Sequence, residues 1–315
     1  MPPRLRGRCA TPPEPRGWVR YREGVSTPRF LDLPEGVRAH RRTTAAGELA
    51  VLEAVPRAAS GPPVVLVPGW TGSKEDFIAV LAPLAAAGRR TVALDLPGQY
   101  ESPPRPDGSY GLDDFAASVL ALAASLDAGP IHLLGHSFGG LVATAAALRE
   151  PGALRSLVLV CSGPGALPTD QHELLHVLAD AIGQHGLEST WTAKRAYDRA
   201  HGAPEVEPHI EAFLEHRFMA NDPATLRAIT LLLASAPDRV TELVESEVPV
   251  RVVSGVDDDR WPVAVQADMA TRLEARHVVL AGAGHSPAVE APQATVEALT
   301  AFWAEVEAPH RAVAG

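Results

Sequence analysis

The chain has 315 residues, 46% of them hydrophobic and 21% charged, which excludes a disordered chain and a collagen-like one. Its 28 basic and 38 acidic residues leave a net charge of −10, a balance that argues against nucleic acid as the main partner. The charge is uneven: residues 1–42 carry ten arginines against only Glu14, Glu23, Asp32 and Glu35, so the rest of the chain is more acidic than the total suggests.

Residues 1–28 are rich in Pro and Arg, show no periodicity and read as a disordered basic tail. They contain no apolar h-region, so no secretory signal is expected. Two cysteines, Cys9 and Cys161, cannot build a disulfide framework, and a cytoplasmic setting is expected. Cys161 closes the apolar run 157–160 and is expected to be buried and inert. The longest nearly apolar stretch, residues 116–126, is too short to span a bilayer, and no membrane partner is expected. The two lysines, Lys74 and Lys194, among 26 arginines read as compositional bias rather than as a site.

In chain order, residues 47–55 form a strand pattern in a hairpin with the segment near 37–44. Compact Val/Leu runs follow at 64–67, 91–94, 131–134, 157–160, 250–253 and 277–280, the pattern of strands buried on both faces. Between them, helical periodicity covers 74–87, 113–126, 138–148, 262–273 and 291–305. The alternation predicts an α/β fold with a mostly parallel sheet flanked by helices. Residues 165–247 break it, with helical patterns at 171–182, 188–200, 208–219, 224–234 and 240–245. The expected organisation is therefore a core over 29–164 and 248–308 with an all-helical lid over 165–247, inserted before the penultimate strand.

The strongest chemical signal is Gly135-His136-Ser137-Phe138-Gly139, placed between a predicted strand and a predicted helix. A G-x-S-x-G segment in that context lifts a nucleophilic serine onto a tight turn, with small neighbours leaving room for it. Serine needs a base, and His285 in Gly282-Ala283-Gly284-His285-Ser286-Pro287 follows the last strand. The imidazole needs an acid to fix its tautomer, and Asp257, Asp258 and Asp259 follow the strand at 250–253. The order serine, acid, histidine is that of an α/β-hydrolase sheet.

On these motifs the chain resembles the α/β-hydrolase fold superfamily over residues 38–308. The likeness is to its lidded group of esterases, lactonases, C–C bond hydrolases and cofactor-free haloperoxidases. The resemblance implies an eight-stranded sheet and singles out Asp258, because Gly255 and Pro262 frame it in a G-x-x-D-x-x-x-P register. It matches Gly284-His285-Ser286-Pro287-Ala288-Val289-Glu290-Ala291-Pro292 to the family's histidine loop. An oxyanion hole needs two backbone N–H groups. Phe138, next after the nucleophile, supplies one, and the resemblance implies Trp70 as the other, with both residues also expected as substrate-binding walls.

Two departures from the family pattern stand out. Pro68 replaces a histidine before Gly69-Trp70, and Tyr100 replaces a glycine in Asp95-Leu96-Pro97-Gly98-Gln99-Tyr100-Glu101-Ser102, where a positive φ would be costly.

His172-Glu173-Leu174-Leu175-His176 matches a zinc H-E-x-x-H but lies within the predicted lid, and it is read as surface or substrate-facing polar residues. No metal and no cofactor are expected. His132 is expected to be structural, His136 to pack under the serine turn, and Trp191, Phe213, Phe218 and Met219 to be core residues of the lid. The expected function is serine hydrolysis of a small ester or other acyl compound with an apolar portion. The rivals are C–C bond hydrolysis, peptide-end cleavage, perhydrolase or haloperoxidase chemistry on the same triad, and a non-catalytic ligand receptor. The sequence carries no signal of oligomeric state.

Overall fold

Runs of Val and Leu have no polar face to offer water, so they are stable only as strands covered on both sides. In a computed structural model describing residues 26–200, 202–203 and 205–308, five of the six runs take that place, while the sixth, 277–280, is an edge strand with Val279 44% exposed. Among the described residues the sheet has eight strands: β1 Val37–Thr44, β2 Gly47–Ala54, β3 Val64–Val67, β4 Thr91–Leu94, β5 Ile131–His136, β6 Leu154–Val160, β7 Val250–Gly255 and β8 His277–Leu280. Their spatial order is β1-β2-β4-β3-β5-β6-β7-β8. The β1–β2 hairpin is antiparallel, β2 pairs antiparallel with β4, and every later pairing is parallel. The central strand β3 is completely buried. Most of the predicted basic tail, residues 1–25, lies outside the described residues.

Helices cover both faces. On one side lie α2 Leu112–Ala124, α3 Phe138–Arg149 and α8 Val263–Arg272; on the other lie α1 Ile78–Ala86, the short α9 Pro287–Glu290 and α10 Pro292–Glu307. The helix expected at 74–87 is divided: Lys74–Phe77 form a 3₁₀ turn before α1.

Between β6 and β7 the chain builds α4 His172–Ala200, α5 Pro208–Met219, α6 Pro223–Ser235 and α7 Val240–Glu245. The two helices expected at 171–182 and 188–200 are the halves of α4, separated at Gly186, whose φ of 75° and ψ of 177° interrupt the helical path. These helices share a small apolar cluster that includes Ile182, Trp191, Leu214 and Phe218, with Trp191 and Phe218 rings 5.2 Å apart. Met219, expected in that cluster, is 39% exposed instead, and Phe213 is half-buried.

The inserted helices are pinned to the core by charge. Arg217 of α5 is buried, 2.7 Å from Asp76 Oδ1, and it also donates to the Ser26 carbonyl at 2.7 Å. Burial raises the Asp76 carboxyl above its ordinary range, while Arg217 opposes that shift. No described helix is long and apolar enough to cross a membrane.

Candidate active site

Strand β5 runs into α3 through a single residue, Ser137, which has φ 55° and ψ −122°. That left-handed region costs a non-glycine residue about 1–3 kcal/mol and persists only where the surroundings enforce it. Here they do. The Ser137 N–H bonds the Val160 carbonyl of the next strand at 2.9 Å, and Gly140 N–H bonds the Ser137 carbonyl at 2.8 Å. A Cβ on Gly135 would lie 2.2 Å from the Gly139 carbonyl oxygen, and one on Gly139 would lie 2.4 Å from the Val67 carbonyl oxygen. Backbone meets backbone at both contacts, so both positions require glycine.

His285 stands opposite, in the loop after β8. The Ser137 hydroxyl donates to His285 Nε2 at 3.0 Å, and His285 Nδ1–H donates to Asp258 Oδ1 at 2.8 Å. The tautomer follows from Asp258, an ionised carboxylate that can only accept. Asp258 is buried and also accepts from Gln266 Nε2 at 2.7 Å and from the Arg260 N–H at 3.0 Å. Burial pushes its carboxyl up, yet the adjacent imidazole and these donors outweigh burial and hold it below the usual carboxylate range. Of the neighbouring acids, Asp257 is exposed, and Asp259 pairs with the Arg260 side chain at 3.4 Å.

The histidine loop is itself fastened. Glu290 accepts from the Gly284 N–H at 2.7 Å and the Ser286 N–H at 3.0 Å. His136 Nε2–H donates to the His285 carbonyl at 2.6 Å, so His136 bridges the serine turn and the histidine loop. Burial, and then the nearby His285, lower the His136 imidazole to about 4 and keep it neutral. Cys161 lies beneath this loop with its Sγ 3.5 Å from the Gly284 carbonyl, and burial pushes its thiol well above the ordinary value. Among the described residues, Cys161, Asp258 and His285 are the one group of three potential ligand atoms within 4.8 Å of one another. There the acid and the imidazole already bond each other, and the thiol keeps its proton. His172 of the H-E-x-x-H segment instead donates to the Leu167 carbonyl at 2.7 Å, and His176 is exposed.

The loop after β3 closes on Ser137 from the other side. Gly69 approaches so closely that a Cβ there would be 2.9 Å from Ser137 Cβ. Where the family pattern has a bracing histidine at Pro68, the brace comes from Gln99, whose Nε2 donates to the Gly69 carbonyl at 3.0 Å. Trp70 Nε1–H donates to Thr230 Oγ1 of α6 at 2.9 Å, tying this loop to the inserted helices. Tyr100 keeps the positive φ of the glycine it replaces, at 42°. Its ring meets Phe213 and His216 edge-on, and Lys74 Nζ lies 4.6 Å from its centroid. Lys74 is in turn buried among Asp95 at 2.9 Å, Glu75 at 2.9 Å and Glu101 at 2.7 Å. Burial pushes the Asp95 carboxyl up to about 7 even against this lysine.

Ser137 and His285 open onto a cavity of about 320 Å³. Its wall is mostly apolar, built from Trp70, Trp261 and one side of α4 that includes Leu174, Leu175 and Leu178. Trp70 lines it, but the Phe138 side chain does not. As the first residue of α3, Phe138 turns its ring into the interface with α2, fully buried edge-on against Phe115 at 5.6 Å, and leaves only its backbone at the site. The sequence motifs give no role to Gln266, Gln99 or Glu290: Glu290 is part of the histidine loop pattern, Gln99 occupies a variable position of the 95–102 segment, and Gln266 lies outside both.

The sequence model of the alpha/beta hydrolase family matches residues 64–298. A pimeloyl-[acyl-carrier protein] methyl ester esterase of Aeromonas salmonicida is 32% identical over 258 residues, covering 79% of this chain and 98% of the esterase. A 2-hydroxy-6-oxononadienedioate/2-hydroxy-6-oxononatrienedioate hydrolase of Cupriavidus pinatubonensis is 28% identical over 254 residues, covering 76% of this chain and 82% of that protein. Among solved structures, the enol-lactonase of Burkholderia xenovorans superposes with a TM-score of 0.70 at 21% identity, covering 84% of this chain and 99% of its own length.

Proposed function

The chain belongs to the alpha/beta hydrolase family, and from that premise we propose that it is a serine hydrolase cleaving a small ester or similar acyl compound through an acyl-enzyme. The observation that carries this reading is the relay of 3.0 Å and 2.8 Å from Ser137 through His285 to Asp258 at the wall of an apolar cavity. In it, Ser137 Oγ attacks the acyl carbon while His285 Nε2 takes the hydroxyl proton. Asp258 holds the ring and stabilises the imidazolium that forms. The backbone N–H groups of Trp70 and Phe138 receive the developing oxyanion, each worth about 10²–10³ in rate. His285 then returns its proton to the leaving alcohol and, in the second half, draws one from water as that water attacks the acyl-enzyme.

The inserted helices over residues 165–247 serve as the lid. They supply the apolar wall that removes the acyl chain from water, and the Trp70–Thr230 bond joins them to the loop carrying one oxyanion donor. The small cysteine complement fits a cytoplasmic setting. An ester is favoured as substrate by the 32% identical methyl ester esterase, and the 28% identical oxononadienedioate hydrolase supports C–C bond cleavage on the same triad as the second reading.

Replacing Ser137 by alanine lowers p-nitrophenyl ester hydrolysis by about 10⁴-fold or more while leaving the fold intact. Full activity in Ser137→Ala overturns the reading. Faster turnover of a vinylogous β-diketone than of any ester supports C–C cleavage instead.

A further inference from the structure

Resting on the serine-hydrolase reading, we infer that Gln99 is a positioning residue for the oxyanion hole: its amide fixes the plane of the Gly69–Trp70 peptide and so aims the Trp70 N–H. A trans peptide is planar, with its carbonyl and its N–H pointing in opposite directions. A donor that holds the Gly69 carbonyl from one side therefore turns the Trp70 N–H towards the other. Gln99 Nε2 is such a donor, at 3.0 Å. The Gly72 N–H also reaches this carbonyl, at 3.2 Å, but it belongs to the same loop and moves with it. The strand order sets Gln99 and the nucleophile on opposite sides of that loop. β3 lies between β5 and β4 and parallel to both, so the loops that follow the three strands leave one edge of the sheet with Gly69 and Trp70 in the middle. Ser137 presses from the β5 side, where a Cβ on Gly69 would lie 3.3 Å from Ser137 Oγ. Gln99 stands on the β4 side. Among the described residues neither the Trp70 N–H nor the Phe138 N–H has a hydrogen-bond acceptor, which leaves both for a developing negative charge.

Gln99 is held where this one bond counts. It is fully buried, and its Oε1 has no hydrogen-bond partner among the described residues. Turning the amide over would set that oxygen against the Gly69 carbonyl, acceptor against acceptor, so the Nε2 donor faces the peptide. A buried amide with an orphaned oxygen costs stability that a methionine or leucine would not. Its backbone is fixed by its N–H on the Leu96 carbonyl at 2.8 Å and by the Ser102 N–H on its own carbonyl at 3.0 Å. Next to it, the Gly98 carbonyl accepts from the Asp222 N–H at the start of α6 at 2.8 Å, and a Cβ on Gly98 would lie 2.1 Å from Thr225 Oγ1 of that helix. Thr230 of the same helix holds the Trp70 indole, so α6 braces both the loop that donates and the residue that is aimed. Gln99 does not line the cavity, and it acts through the peptide rather than on the substrate.

The test compares the wild type with Gln99→Met, which keeps the length of the side chain and removes the donor. Hydrolysis of p-nitrophenyl butyrate is measured beside inhibition by an alkyl trifluoromethyl ketone. Ser137 Oγ bonds to the ketone carbon, the hydroxyl proton passes to His285, and the carbonyl electron pair moves onto the oxygen that enters the hole. In Gln99→Met, kcat is expected to fall by about tenfold to a hundredfold while KM stays within about threefold. The inhibition constant of the ketone is expected to rise by the same factor as kcat/KM falls. KM and the inhibition constant do not depend on how much of the variant is folded, so a loss of folded protein does not mimic the result. A wild-type kcat, or a lower kcat with the ketone bound as tightly as before, overturns the positioning role and leaves the hydrolase reading standing. If wild-type hydrolysis and ketone inhibition both persist in Ser137→Ala, the hydrolase reading fails and the positioning role fails with it.

Discussion

The turn at Ser137 and the helices between β6 and β7 line the same cavity but are held by different physics. At the turn the constraint is steric: backbone meets backbone where Gly135 faces Gly139 and Gly139 faces Val67, and Gly69 meets the Ser137 Cβ, which the backbone itself fixes. The inserted helices are held by side chains, through the Arg217–Asp76 pair, the Trp70–Thr230 bond and a modest apolar cluster. A region fixed by backbone contact can place a reacting atom to within tenths of an ångström. A region fixed by side chains can change its wall without moving that atom. On the proposed reading, chemistry belongs to the turn and selectivity to the insertion.

That division can be broken at either end. The largest expected effect is at the acid. Asp258→Asn keeps the bond lengths but presents the wrong tautomer to His285, and kcat is expected to fall by about 10⁴ with little change in KM. Asp257→Asn, at an exposed neighbour, is expected to change kcat little. Equal effects at Asp257 and Asp258 would show that the acid is misassigned. Next is the insertion's anchor: Arg217→Met strands the Asp76 carboxylate in the interior and is expected to cost about 3–5 kcal/mol in chemical denaturation. The double variant Arg217→Met with Asp76→Leu recovers most of that loss. A single variant as stable as wild type would mean that the helices are held elsewhere.

The smallest effect is a pH dependence of the turn. The His136 imidazole sits at about 4 rather than 6.5 because it is buried. Its pKa is depressed on folding, so the unfolded chain binds the proton more readily. The stability it contributes is complete above about pH 6.5 and is lost as pH falls towards 4. Unfolding measured across that window is expected to lose about 3 kcal/mol more in the wild type than in His136→Asn. Identical pH profiles for the two would contradict the buried, neutral histidine bridging the turn to the His285 loop.

Much of the serine turn was legible in the sequence, because its determinants are contiguous: five residues spanning the end of a strand and the start of a helix carry the geometry. The strands were legible too, since a run such as Val64–Val67 has no amphipathic alternative. Side-chain direction was not. Phe138 is at the site by its backbone and in the core by its ring, a distinction settled by how α3 packs on α2. Nor could spacing reveal partners brought together by the fold, such as Asp76 with Arg217 or Asp258 with Gln266. Tyr100 shows a third kind of gap. A tyrosine at φ 42° contradicts local preference, and only the tertiary contacts of its ring with Phe213, His216 and Lys74 explain how the turn holds it. The lysine pair that composition made look incidental, Lys74 and Lys194, is half structural brace and half cavity wall.

The central claim is that Ser137 is the residue that becomes acylated. Treatment with a fluorophosphonate, followed by peptide mass analysis, tests it most directly. The account predicts one adduct per chain, on Ser137, formed in the wild type and absent from Ser137→Ala. A wild-type protein that hydrolyses esters yet stays unlabelled, or that carries the adduct on another residue, would contradict it.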